Sequence, residues 1–402
     1  MELRGYWKGL CVALLSCAPL PSAAQGPPPD FPCRPLSCST LIPTRTVDDP
    51  RTNDCAYRAG NLWWVDYVAG SLAWSDTPRP QPITVAVFDD GFWLDHEDLR
   101  NQLWTNEAEA HGKAGVDDDG NGYVDDVHGW DFVDNSPDVT PKGECRSRFS
   151  HGTLMASLVA GERNNHVGIA APGSDGARVM ALRITGCDGT AAKMDPARLV
   201  RALEYATRMG ARILSFSAHW SVTSEELDAA FREIADRPGS AVAAIVVASV
   251  PNKGEPTAGY PAAYDFSRIV RAVPIGNDDE LSPGTSPAPP GLNLGAPSAC
   301  VIGAGNPPSQ YKLEQGSSNS TAILAGLLAG IWSSPRYAKL SPDEFLAGVV
   351  VGRMSKTARR SKPGSRSPYL DGVPLADACL LATGRRSARV CRQPEAHREA
   401  RP

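Results

Sequence analysis

Ile83-Thr84-Val85-Ala86-Val87-Phe88 is a short apolar, β-branched run that ends on Asp89-Asp90-Gly91. Its length and composition fit a buried strand, and a strand apolar on both faces belongs in a sheet covered on both sides. The same signature recurs at Ala177–Ile184, Ile213–Ser217, Ala241–Val250 and Arg268–Ile275. Helical patterns stand between these runs. Asp195-Pro196 caps a helix through Leu199, Val200, Leu203 and Met209 that stops at Gly210. Thr223 and Glu226 have capping-box spacing ahead of a helix containing Leu227, Phe231 and Ile234. Strands separated by helices of roughly 12–15 residues make βαβ units. The expected fold is therefore α/β, a three-layer αβα domain with a mostly parallel sheet, carried by residues 61–384.

Outward from that domain the chain changes character. Arg4 and Lys8 precede an apolar stretch, Gly9 to Leu20, that is too short to span a bilayer. Pro21-Ser22-Ala23-Ala24 then offers small residues for cleavage, so residues 1–24 read as a signal peptide of a secreted or periplasmic protein. A second reading of the same stretch is a lipoprotein box, Leu14-Leu15-Ser16-Cys17, with Cys17 lipidated. Cleavage after Ala24 removes Cys11 and Cys17, and the eight cysteines left are an even set that suggests disulfides. Residues 25–60 are a Cys- and Pro-rich extension, and 385–402 a basic tail. Arg353 to Arg366 is basic without an acid and reads as a solvated surface segment. In the whole chain of 402 residues, 40 basic side chains stand against 45 acidic ones, a net charge of −5. That balance argues against a nucleic-acid partner. Apolar residues are 42% and charged ones 21%, a globular composition, and 37 Gly with 35 Pro predict many loops. No transmembrane segment is expected, and a monomer is.

Reactive groups in parallel α/β sheets collect beyond the carboxyl ends of strands. Three such junctions hold complementary chemistry. Asp89-Asp90-Gly91 follows the first strand, and a carboxylate there can orient a histidine. His151-Gly152-Thr153 opens a helical run, where the positive helix end disfavours the protonated imidazole and a neutral general base is expected. Gly316-Ser317-Ser318-Asn319 precedes the apolar helix Ala322 to Trp332, which puts a serine among backbone N–H groups suited to an oxyanion. Asn252, just past the strand ending at Val250, can add a side-chain N–H. Each group also has a purely structural use, as a turn, a surface histidine or an N-cap.

Taken together, the order Asp89, His151, Ser318 is the Asp-His-Ser order of subtilisin, and the chain resembles the subtilisin-like serine proteases, the subtilases. Val85 to Gly91 followed by His96-Glu97-Asp98-Leu99 is similar to the family's Asp-Thr-Gly or Asp-Ser-Gly turn and its His-Pro-Asp-Leu segment. His151-Gly-Thr153, Val246 to Asn252, Tyr260-Pro-Ala262 and Gly316-Ser-Ser318 resemble its other motifs in order. The resemblance implies that Ser318 is the nucleophile, His151 the general base and acid, Asp89 its orienting partner and Asn252 an oxyanion donor. It implies protein or peptide substrates and no cofactor for the chemistry. It also implies that Ser217, Ala218, His219 and Ser249 border the first specificity pocket.

Departures from the pattern bear on activity. After Ser318 the family reads Met-Ala-Ala-Pro-His, and here Asn319-Ser320-Thr321-Ala322-Ile323 stands instead. Pro251 replaces the glycine before the oxyanion asparagine. His219 replaces a pocket glycine, so a narrowed pocket that prefers small residues is expected. A catalytically silent member acting as a binding or scaffold protein is the competing reading. An α/β-hydrolase is excluded, because its order is Ser-Asp-His and Gly316 to Ser320 lacks the second glycine of its nucleophile elbow.

A further site precedes His151. Asp117, Asp119, Asn121 and Asp125 fall at positions 1, 3, 5 and 9 of a calcium-loop spacing with Gly122 at position 6. His128 replaces the usual Glu at position 12, so Asp126, Asp131 or Asp134 is expected to complete a structural calcium shell. For the cysteines, loops at one sheet edge favour a Cys145–Cys187 bridge, and proximity favours Cys379–Cys391.

Overall fold

The computed structural model describes residues 52–384, apart from 76, 78, 80, 148–149, 187–193, 253–258, 283–284, 287–288, 307–309, 358–359 and 363–372. The signal peptide with Cys17, most of the N-terminal extension, the basic tail, Cys187 and Cys391 lie outside those residues. In chain order the described elements begin with the short helices α1 (Cys55–Arg58) and α2 (Trp63–Tyr67), strand β1 (Ile83–Asp89), α3 (Glu107–Ala110), β2 (Gly129–Asp131) and α4 (Glu144–Ser147). The central segment follows as α5 (His151–Ala160), β3 (Ala177–Arg183), α6 (Pro196–Arg208), β4 (Ile213–Phe216), α7 (Glu225–Ala235), β5 (Ile245–Ser249) and β6 (Ile269–Ile275). Then come β7 (Leu292–Pro297), β8 (Val301–Ala304), β9 (Tyr311–Glu314) and α8 (Ser317–Trp332).

Seven strands pair in the order β2-β3-β1-β4-β5-β6-β7. Every pairing is parallel. A separate antiparallel hairpin joins β8 and β9. The expected three-layer α/β architecture is what the alternation of side chains builds. Along β1, Val85 and Val87 enter the core shared with Leu154 and Leu158 of α5 and Ile323 and Leu327 of α8. Ala86 and Phe88 point the other way, into the core shared with Leu199 and Leu203 of α6 and Leu227 and Phe231 of α7. Each fully buried Leu or Phe there contributes about 1.5–3 kcal/mol by leaving water. Asp89 continues the parity of Val85 and Val87, so its carboxylate emerges on the α5–α8 side. Ala56 and Tyr57 pack in that same core, so the end of the N-terminal extension is part of the body. Among the described residues no helix is long and apolar enough to cross a membrane.

Several local expectations are corrected. The apolar run Ala241–Val250 pairs only over Ile245–Ser249, because its start turns: Ala243 N–H donates to Ser240 O. The cap of α7 is Ser224, whose hydroxyl accepts from Leu227 N–H, while Thr223 bonds to the Asp228 carboxylate. The helix after Gly316 begins at Ser317 rather than Ala322. Arg353 is half-buried, its guanidinium donating to Tyr337 Oη at 2.6 Å, whereas Arg360 and Lys362 of the same basic segment are exposed as expected. By contrast, Asp195 caps α6 with Pro196 at its first position, as the sequence indicates.

Candidate active site

Helices α5 and α8 are the two that pack on the same side of the sheet as Asp89, and both are apolar almost throughout. In α5 every residue from Gly152 to Ala160 is buried, and only His151 is not. In α8 every residue is buried except Ser318. The two helices can approach because Gly326 has no side chain: a Cβ there would lie 2.2 Å from Val159 O. Two buried helices thus each present one polar group at the carboxyl edge of β1.

His151 is fixed from several directions. Its ring Nδ1 lies 2.8 and 2.9 Å from the two carboxylate oxygens of Asp89. Gly152 permits this approach, since a Cβ at that position would lie 2.4 Å from Gly91 O and 2.9 Å from Asp89 Cβ. Gly91 itself has φ +138° and makes the turn. Ser150 caps α5: its hydroxyl accepts from Thr153 N–H at 3.1 Å and donates to Gly91 O at 2.7 Å. Asn306, beyond β8, accepts from Ser150 N–H through Oδ1 at 3.1 Å. The imidazole remains 33% exposed, so a ligand can reach it.

Burial opposes a charge on the His151 ring, but the charge of Asp89 and its hydrogen bond, with the charges of Asp90 and Glu314, outweigh it and hold the imidazole pKa well above its ordinary value. The helix end therefore does not set the proton affinity of this ring, contrary to expectation. Two carboxylates within reach dominate the half-charge of a helix terminus.

Ser318 and Ser217 form a reciprocal pair. Ser318 Oγ donates to Ser217 O at 3.1 Å, and Ser217 Oγ donates to Ser318 O at 3.2 Å, which ties the end of β4 to the start of α8. Asn252 accepts from Ser317 N–H through Oδ1 at 2.8 Å. That bond fixes the amide, leaving Nδ2 on the side of Gly316, where an added Cβ would lie 3.5 Å from Asn252 Nδ2 and 3.9 Å from Ser318 N. Gly316 thus borders a space faced by two N–H donors. Downstream, the residues that depart from the family pattern are absorbed within α8. Asn319 Nδ2 donates to Ser298 O and Glu314 O, Ser320 Oγ to Ala296 O, and Thr321 Oγ to Ser317 O.

Of the pocket candidates, Ser217, Ala218 and His219 lie just past β4 and Ser249 ends β5. The Ser249 hydroxyl is buried without a hydrogen-bond partner. His219 stands against Gly259, where an added Cβ would meet its Cβ and Cδ2 at 3.0 Å.

The acidic loop gathers a different set from the one its spacing suggests. Carboxylate oxygens of Glu109, Asp119 and Asp126 lie within 4.8 Å of one another. Asp117 instead accepts from Asn121 and Gly122 N–H, and Asp125 from Gly115 N–H. Asn121 donates its amide to Asp119 and Asp126. Asp131 and Asp134 are bound to Arg183 and Lys142. Glu109 sits eight residues ahead of the loop, in α3, and nothing in the loop spacing announces it.

A parallel α/β sheet with a serine and a histidine on adjacent helix starts, and an aspartate behind the histidine, defines the class of protein. The comparison with known proteins gives the family. Residues 81–370 match the model of the subtilase family, and the chain belongs to that family. It is similar to Subtilisin-like protease 1 of Plasmodium vivax, 42% identical over 92 residues, covering 23% of this chain and 13% of that protein. It is 27% identical to Halolysin of Haloferax mediterranei over 275 residues, 68% of this chain and 46% of that protein. Over the same length it is 29% identical to the Halolysin-like extracellular serine protease Nep of Natrialba magadii, of which 44% is covered. The chain spans less than half the length of each of these relatives.

Proposed function

We propose that this chain is a secreted serine endopeptidase that cleaves protein or peptide substrates through an acyl-enzyme. The observation that carries the reading is that His151 and Ser318 are the only residues of α5 and α8 left unburied, with Asp89 bonded behind the histidine. The Ser318 hydroxyl turns from Ser217 O to the imidazole, which takes its proton as the oxygen attacks the carbonyl carbon. Asp89 stabilises the imidazolium that forms. Asn252 Nδ2 and Ser318 N–H receive the oxyanion beside Gly316, each such donor being worth about 100- to 1,000-fold in turnover. The imidazolium then protonates the leaving amine, and water completes deacylation by the same route. Replacing Ser318 with Ala abolishes casein hydrolysis and leaves the melting curve unchanged. Parent-like cleavage by that variant would contradict the assignment, and a parent that does not cleave would favour the silent scaffold.

The remaining parts of the reading rest on separate observations. His219 against Gly259 supports a first pocket restricted to small side chains, bordered by Ser217, Ala218 and Ser249. Residues 1–24 act as the export signal, in keeping with a relative named as extracellular; lipid anchoring through Cys17 is the variant of that route. Glu109, Asp119 and Asp126 would hold a structural calcium ion, three hard oxygen donors drawn from α3 and the loop. The ion supplies cross-linking and no chemistry. Asp117, Asn121 and Asp125 shape that loop. Cys55, Cys145, Cys300 and Cys379 are disulfide-bonded, and the partners proposed for Cys145 and Cys379 are Cys187 and Cys391.

A further inference from the structure

Asp90 is a half-buried carboxylate that the acyl-transfer roles leave unused. Asp89 takes the imidazole of His151, while Asp90 takes the main chain of the same residue. Its Oδ2 accepts from His151 N–H at 3.2 Å and its Oδ1 from Gly152 N–H at 2.9 Å. These are two of the N–H groups that a helix start leaves without intrahelical partners. The main chain of Asp90 is itself anchored, because Arg183 Nε donates to Asp90 O at 3.1 Å and Arg183 is held by Asp131 and Asp134. Two consecutive carboxylates at the end of one strand therefore grip the ring and the backbone of one histidine.

Resting on the serine-peptidase reading, we propose that Asp90 is a positioning residue, which fixes the His151 backbone relative to Asp89 so that the ring faces Ser318, and whose charge favours the imidazolium. A Thr or Ser at this place, as in the family pattern, offers a single oxygen; a carboxylate offers a fork for two adjacent amides at a positive helix end. The groups facing Asp90 are Asp89 on β1, the His151 ring on α5, Arg183 on β3 through the carbonyl, and the disulfide-bonded Cys145 of α4, whose sulfur lies 3.3 Å from Oδ2 and does not titrate. Glu314 of β9 adds to the negative field at His151. Burial and the charge of Asp89 push the Asp90 carboxyl up to about 7, so the clasp weakens on mild acidification.

The experiment compares the full-length parent with Asp90→Asn and Asp90→Ala, using nitrogen-15 histidine NMR to titrate His151 and steady-state peptide hydrolysis. Asp90→Asn keeps one acceptor and loses the charge. Its His151 titration and the acid limb of kcat/KM both move down by about one pH unit. Turnover falls about tenfold with KM within about twofold, and Asp90→Ala falls further. An unmoved His151 titration with parent-like kcat in Asp90→Asn would overturn the proposal, as would an effect confined to KM, which marks a substrate contact. The NMR titration needs only folded protein, so it decides the role of Asp90 even if the parent proves inactive and the peptidase reading fails. Melting curves identify a variant that does not fold, and Asp90→Thr, with the family's own residue type, then replaces it.

Discussion

Gly152→Ala is the substitution that most sharply separates geometry from stability in this account. The added methyl would lie 2.4 Å from Gly91 O, 2.9 Å from Asp89 Cβ and 3.0 Å from Phe92 Cε1. Two of those three neighbours belong to the main chain or its first side-chain atom, so rotation of a flexible side chain cannot relieve them. An ordinary contact is near 3.5 Å, so the start of α5 must withdraw from β1 by about 1 Å. The Asp89–His151 bonds of 2.8 and 2.9 Å then stretch beyond hydrogen-bond range. A displacement of about 1 Å in a positioned group costs on the order of 100-fold in turnover. Stability changes less. Crowding costs about 1–3 kcal/mol, and the better helix propensity of Ala offsets up to about 1 kcal/mol. The melting temperature therefore falls by only a few degrees while kcat falls about 100-fold at nearly constant KM. The assay is peptide hydrolysis well below the melting transition, alongside a thermal melt. A Gly152→Ala enzyme with parental kcat would refute the claim that the α5–β1 distance sets the activity. So would a loss of activity that simply follows the fraction unfolded.

Two further outcomes follow from the site. Chelation lowers the melting temperature of the parent, and Glu109→Gln removes most of that sensitivity, because an ion bound only to the folded state stabilises it; identical melts of the parent with and without chelator exclude the calcium proposal. His219→Gly widens cleavage toward large residues at the position whose carbonyl is attacked, read on a peptide library, whereas a parent that already selects Phe, Tyr or Leu shows that the imidazole does not fill the pocket.

The fold was legible where local chemistry and tertiary packing agree. Ile83 to Phe88 is apolar on both faces because cores lie on both faces, and Asp195-Pro196 caps α6 as its residue types require. It was misread where composition continues past the hydrogen bonds. Ala241 to Ala244 is apolar enough for a strand, yet it is spent on a turn from Ser240. Thr223 and Ser224 compete for one cap, and the Asp228 carboxylate, drawn by Thr223, leaves the cap to Ser224. Asp89, His151, Asn252 and Ser318 could be picked out because each stands beside a strand end or helix start with its motif. Asp90, Ser150 and Asn306 could not, since their roles exist only once β1, α5 and the β8–β9 hairpin meet. The same holds for Glu109, which reaches the acidic loop from a separate one-turn helix. The raised proton affinity of His151 is not legible for the related reason that a helix end is visible in sequence, whereas a second carboxylate folded beneath the same residue is not.

The proposed activity requires Ser318 to be an activated nucleophile. A fluorophosphonate probe reacts with such a serine, and peptide mapping by mass spectrometry locates the adduct. A single adduct on Ser318 is expected, formed more slowly in Asp89→Asn and absent in Ser318→Ala. An unlabelled parent, or an adduct on Ser317 instead, would contradict it.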